Sequence, residues 1–176
     1  MDALDRLKYP IGAFTYPSSP LDANARAACI DAIARTPSAM RDAVAGLTDA
    51  ELDTPYRPGG WTIRQVVHHV PDSHMHAYVR MKFAVTEELP LVKAYDEDRW
   101  SKLADAQSAP VALSLDLLDA LHRRWVTFLQ GLSEADFRRA LVHSANGRLT
   151  LDQLLADYAW HGPHHVAHVR NAVGRM

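Results

Sequence analysis

Thr48 with Glu51, Thr62 with Gln65, Ser133 with Asp136, and Thr150 with Gln153 each set a hydroxyl three residues ahead of a carboxylate or glutamine, at the opening of a helical pattern. This is the spacing of the capping box, in which the hydroxyl accepts from the third backbone N–H and the longer side chain reaches back to the N–H of the cap. Each box marks a helix start, so the chain is punctuated for helices. Thr62 opens a helix that runs through Pro71 to about Glu87, before Pro90, and Thr150 opens the last helix, which ends at Gly174. Apolar residues at three- and four-residue spacing predict a helix over 23–47, bent at Pro37, and another over 111–129, with Pro110 at its first turn and Gly131 closing it. A short helix follows Thr48, a helical turn surrounds Trp100, and DTPYRPGG is an irregular loop.

Asn146-Gly147, between RALVHSA and RLTL, is a two-residue hairpin signal. The expected fold is therefore all-α, a four-helix bundle with a small β-hairpin before the last helix, formed by residues 1–176 as one domain. Residues 1–20, with Pro10, Pro17 and Pro20, read as an extended arm lying over the body or reaching a partner subunit.

Composition removes several function classes. The single cysteine, Cys29, allows no internal disulfide and no zinc site built on two or more thiolates. Nineteen basic and 21 acidic residues are mixed along the chain, leaving no electrostatic footprint for nucleic acid. There is neither a leader-like N-terminus nor a bilayer-length apolar run, so the expected setting is the cytoplasm, with no membrane partner.

Ten residues are histidine, and eight of them fall in two windows: His68, His69, His74 and His76, then His161, His164, His165 and His168. On a wheel of about 100° per residue, Ile63, Val66, Val70, Ala77 and Met81 form one stripe with His69 at its edge, while His68 points away. On the last helix Leu154, Tyr158, Val169 and Ala172 form the inner stripe, and His161 and His165 lie within it. Imidazoles at i and i+4 can converge on one ion, with a third supplied by a facing helix. A lone histidine on an apolar face is ordinarily a core residue satisfied by a hydrogen bond; three that converge point to a metal site. His168 also points inward and can replace His161 or hold a ligand's second nitrogen, and His164 with His168 has the same spacing, so the wheel leaves that choice open. Three neutral nitrogens suit zinc, nickel, copper or iron and leave coordination positions for water or substrate. His74, His76, His122 and His143 have no partner at ligand spacing and are read as surface residues or as neighbours of the site, His122 being the best pocket candidate. The four tryptophans read as packing, with Trp160 beside a ligand.

The segments PYRPGGWTIRQVVHHVPDSHMHAYVR and YAWHGPHHVAHV, together with YPIG, LDTPYR and LTLDQLL, extend a resemblance over nearly the whole chain. It resembles the YfiT-type metal-dependent hydrolases of the DinB-like superfamily, which are related to bacterial thiol S-transferases. The resemblance implies an up-down-down-up bundle, a homodimer, and one zinc or nickel ion per chain on His69, His161 and His165. Pro71 and Gly162-Pro163 depart from the usual pattern beside these ligands, and both prolines are expected to kink their helices.

The chemistry so implied is hydrolysis of a small-molecule substrate by metal-activated water. No H-E-x-x-H arrangement supplies a base, which leaves Asp72, Glu87 or a neighbouring histidine as candidates. The alternative is transfer of a low-molecular-weight thiol, with Tyr56, Arg57 or Arg64 helping to line its cleft, although the ordinary reading of both arginines is solvated surface charge. A non-catalytic metal-binding module is the third reading.

Overall fold

The computed structural model describes residues 3–175. In chain order the elements are α1 (Ala3–Lys8), α2 (Ala23–Ala43), α3 (Asp49–Leu52), α4 (Ile63–Thr86), β1 (Leu91–Val92), α5 (Glu97–Trp100), α6 (Ala104–Ser108), α7 (Val111–Gln130), α8 (Glu134–Phe137), β2 (Ala140–His143), β3 (Gly147–Thr150) and α9 (Leu151–Val173). All four capping boxes form with both reciprocal bonds, at the starts of α3, α4, α8 and α9.

The long helices α2, α4, α7 and α9 make a four-helix bundle in which α2 packs on α9 and α7, and α4 packs on the same two. Helices α2 and α4 therefore stand on a diagonal although they are consecutive in the chain. Side-chain bonds give the directions. Arg26 near the start of α2 pairs with Asp152 at the start of α9 (2.7 and 2.9 Å), so those two run together. His68 near the start of α4 meets Ser114 near the start of α7 at 2.7 Å, so those two also run together. Arg41 at the end of α2 reaches Asp116 at the start of α7, setting the pairs opposed. The result is up-down-down-up.

Strands β2 and β3 form the expected hairpin, with Leu141 opposite Leu149. The sheet is larger than a hairpin, however, because β1 adds parallel to β2 with Leu91 opposite Val142. A two-residue strand paired 51 positions away along the chain leaves no local pattern to read. The expected extended arm is also corrected: α1 is helical, and the irregular segment after it lies on α9, where Gly12 O accepts from Trp160 Nε1 (3.2 Å) and Leu21 N–H donates to Asp152 (3.1 Å). Helix α2 ends four residues earlier than the periodicity suggested, and α6 was not anticipated. The helical assignment runs unbroken through Pro37, Pro71 and Pro163.

The apolar core is in two parts. Met81, Trp125, Leu129, Leu155 and Tyr158 centre one cluster; Met40, Ile63, Val66, Leu118, Val166 and Val169 centre the other. Between them each helix contributes a polar or small residue: Thr36 and Pro37 on α2, His74 on α4, His122 on α7, and His161 with Gly162 on α9. Gly162 is required there because a Cβ would stand 2.4 Å from Thr36 Oγ1 and 2.7 Å from its Cγ2. No described helix is long and apolar enough to cross a membrane.

Candidate metal centre

Helix α4 supplies His69 and helix α9 supplies His161 and His165, one helical turn apart and facing it. One ring nitrogen from each lies within 4.8 Å of the others, and they are the one group of three potential ligands so placed among the described residues. Three atoms no farther apart than 4.8 Å lie within about 2.8 Å of a common point, against ~2.0–2.1 Å for a zinc–imidazole bond. Ring movements under about 1 Å close such a site, so these residues fit a divalent ion.

In all three rings Nδ1 is already engaged. His69 Nδ1 is 3.2 Å from the Tyr95 hydroxyl, His161 Nδ1 is 3.0 Å from His74 Nε2, and His165 Nδ1 is 3.4 Å from His168 Nδ1. Nε2 is thus the nitrogen each can offer. Burial holds His69 down to about 4 and holds His161 and His165 well below the usual histidine range, with the neighbouring imidazoles adding to the effect. Neutral rings are the form that ligates a metal.

The site opens into a cavity of about 620 Å³ walled by aromatic and charged groups from four directions, among them Tyr9, Arg57, Trp61, Tyr95, Glu97 and Trp160. The PYRPGGW segment reaches it as the expected irregular loop, closed at its base by an antiparallel bridge between Pro55 and Thr62 and by Tyr56 N–H donating to Trp61 O at 2.9 Å. Gly60 lets the loop close, since a Cβ there would meet Arg57 Cγ at 2.7 Å.

Other expectations need revision. Arg64 is not surface charge; it is buried, with 2.7 Å bonds to Asp49 and Asp53, and does not line the cavity. Arg57 and Tyr56 do line it. Glu87 caps the far end of α4, 18 residues or about 27 Å beyond His69, and Asp72 faces Asp105 instead of the cavity, so neither is placed as a base. The carboxylates on the cavity wall are Glu97 and Asp98, and Asp98 is held by Lys102 at 2.5 Å. Both nitrogens of His168 are engaged, by His165 and Lys8 O, while His164 stacks on Trp160 with centroids 4.1 Å apart and keeps its Nδ1 buried without a partner among the described residues. His74, His122 and His143 are buried, so the surface reading fails for them, while the reading as neighbours of the site holds for His74 and, through it, His122. The signal for the first two was present: His74 lies four residues after Val70 and three before Ala77, and His122 stands likewise between Leu118 and Trp125, each on its helix's inner stripe.

Comparison with known proteins agrees with this architecture. The DinB superfamily model matches residues 32–169. The chain belongs to the DinB superfamily. Among curated relatives, a Bacillus licheniformis protein named "Putative metal-dependent hydrolase" is 47% identical over 176 residues, 98% of each chain. A Geobacillus kaustophilus protein of the same description is 48% identical over 170 residues, 96% of this chain and 95% of that one. YfiT from Bacillus subtilis, described as "a probable metal-dependent hydrolase with an unusual four-helix bundle topology", superposes with a TM-score of 0.94 at 42% identity, covering 97% and 98% of the two chains. The four-helix-bundle protein TT2238, at 18% identity and a TM-score of 0.55 over 80% of this chain and 94% of its own, shares the fold. This DinB-superfamily chain thus stands among relatives named as metal-dependent hydrolases.

Proposed function

We propose that the chain is a metal-dependent hydrolase in which His69, His161 and His165 hold one zinc or nickel ion at the floor of the aromatic cavity. The observation that carries this reading is the convergence of three neutral imidazoles, each with Nδ1 engaged elsewhere, at the base of an open cavity. Such an ion supplies Lewis acidity, acidifying water and polarising an electrophile. The chain's own residues do the rest. Tyr95 steadies His69, the hydroxyls of Ser73 and Tyr158 offer hydrogen bonds on the wall, and Arg57 and Lys8 orient an anionic group of the substrate at the mouth.

A second reading, transfer of a low-molecular-weight thiol to an electrophile, draws support from the same wall. Arg57 and Lys8 suit a carboxylate or phosphate on the thiol, and a metal-acidified thiol needs no carboxylate base beside the ligands. Elemental analysis of the wild-type chain beside a His69→Ala/His161→Ala/His165→Ala variant tests the site, with about one equivalent of metal expected in the first and none in the second. Ester-hydrolysis and thiol-conjugation assays of the zinc- and nickel-loaded chain then separate the two chemistries. Equal metal content in both proteins sinks the ligand assignment.

A further inference from the structure

We propose that His74, His122 and His168 are positioning residues that set the tautomer of two ligands, His161 and His165, through histidine relays each anchored on a backbone carbonyl. The proposal rests on the ligand assignment above and adds what holds those ligands in their binding form.

The first relay can be read atom by atom. A carbonyl oxygen only accepts, so His122 Nδ1, 2.6 Å from Ile33 O, must carry a proton. A neutral imidazole has one N–H, so His122 Nε2 accepts, and its partner at 2.8 Å, His74 Nδ1, must donate. His74 Nε2 is then the acceptor for His161 Nδ1–H at 3.0 Å. Three forced steps leave His161 Nε2 as a bare lone pair. The second relay is shorter. Lys8 O takes the proton on His168 Nε2 at 3.0 Å, so His168 Nδ1 accepts from His165 Nδ1–H at 3.4 Å, and His165 Nε2 is left bare in turn.

Neutrality is the condition for this logic, and the surroundings provide it. His74 has no exposed surface and His122 and His168 almost none, and no carboxylate is hydrogen-bonded to any of the three to stabilise an imidazolium. The anchor of the first relay has its own cause in the sequence. Ile33 O would ordinarily accept from the N–H four residues on, but that residue is Pro37, which has none. A proline inside α2 therefore frees the carbonyl on which the relay ends. Tyr95, by contrast, can donate or accept, so His69 is the ligand whose tautomer is left to adjust.

The test begins with long-range ¹H–¹⁵N spectra of the metal-free, ¹⁵N-histidine-labelled chain, where His161 and His165 should each show a protonated Nδ1 and an unprotonated Nε2. An Nε2–H form for either one overturns the proposal, whether or not any variant folds. Zinc affinity, measured in competition with a chromophoric chelator, is the second readout. His122→Phe removes the anchor without touching a ligand, should shift His161 toward the Nε2–H form, and should weaken zinc by about 10- to 100-fold. His122→Gln keeps a donor for Ile33 O and an acceptor for His74, so it should return both the tautomer and the affinity to near wild type. A His122→Phe chain with wild-type tautomers and affinity also overturns the proposal. If the wild-type chain binds no zinc, the ligand assignment falls by itself, and the tautomers still decide whether the relays exist.

Discussion

Replacing Gly162 with alanine should destabilise the fold in the wild-type background and cease to do so once Thr36 is trimmed. The new Cβ would meet Thr36 Oγ1, Cγ2 and Cβ at 2.4, 2.7 and 3.1 Å, with α2 and α9 both packed around the contact. Overpacking of this kind costs about 2–3 kcal/mol. Alanine's helix propensity returns ~1 kcal/mol, leaving a net loss of about 1–2 kcal/mol. At ~2–4 °C per kcal/mol for a chain of this size, Tm should fall by roughly 2–8 °C. Thr36→Ala deletes the two nearest atoms, at a cost that includes the 3.0 Å bond from Oγ1 to Ala32 O. In that background Gly162→Ala should be neutral or stabilising by up to about 1 kcal/mol. Thermal and urea unfolding of the four proteins gives the coupling between the sites, expected at about 1–3 kcal/mol. Equal destabilisation by Gly162→Ala in both backgrounds would refute the claim that Thr36 sets the spacing of these helices.

Asp152→Ala strands Arg26 in a site where the two side chains are 9% and 4% exposed; the cost should be about 3–5 kcal/mol, read as a fall in the urea midpoint, and a loss under about 1 kcal/mol would contradict a buried pair. Tyr95→Phe should keep one equivalent of zinc but bind it about tenfold more weakly, because the 3.2 Å contact to His69 Nδ1 is lost. The metal-free chain should lose stability on acidification. Burial lowers His122 to about 4, so between that value and the ordinary 6.5 the unfolded chain takes up a proton that the folded chain refuses. This contribution is harmless above pH 6.5 and grows as pH falls, reaching about 2 kcal/mol near pH 5. Urea titrations at pH 7 and pH 5 should show a smaller difference for His122→Gln than for wild type.

What was legible in the sequence was whatever local chemistry dictates. A capping box declares itself within four residues, and so does the Asn146-Gly147 turn, which placed four helix starts and the hairpin. Helical period put His69 at the edge of its stripe and His161 with His165 inside theirs, but it left His164 and His168 open as well, and the family resemblance made that choice. Contacts made at long range did not follow. His74 meets its partners 48 and 87 residues away, β1 finds β2 across four intervening helices, and Arg64 is held in the interior by Asp49, Asp53 and the carbonyl of Ala109. Tyr95 sits in a loop without periodicity, so nothing marked it as the neighbour of His69. One proline also acts at long range. The rule that proline removes a hydrogen bond held, but at Pro37 the freed carbonyl found a side chain from another helix.

The division of the core by a layer of histidines also bears on how the four helices choose their alignment. Two purely apolar clusters could tolerate one helix sliding past its neighbours, because leucine and valine pack adequately in several places. One step of a helical turn, ~5.4 Å, would carry His74 or His122 into hydrocarbon and strip it of its partner, at about 1–3 kcal/mol for each orphaned group. The imidazoles thus act like teeth in a rack, admitting a single longitudinal setting of the bundle before any ion arrives.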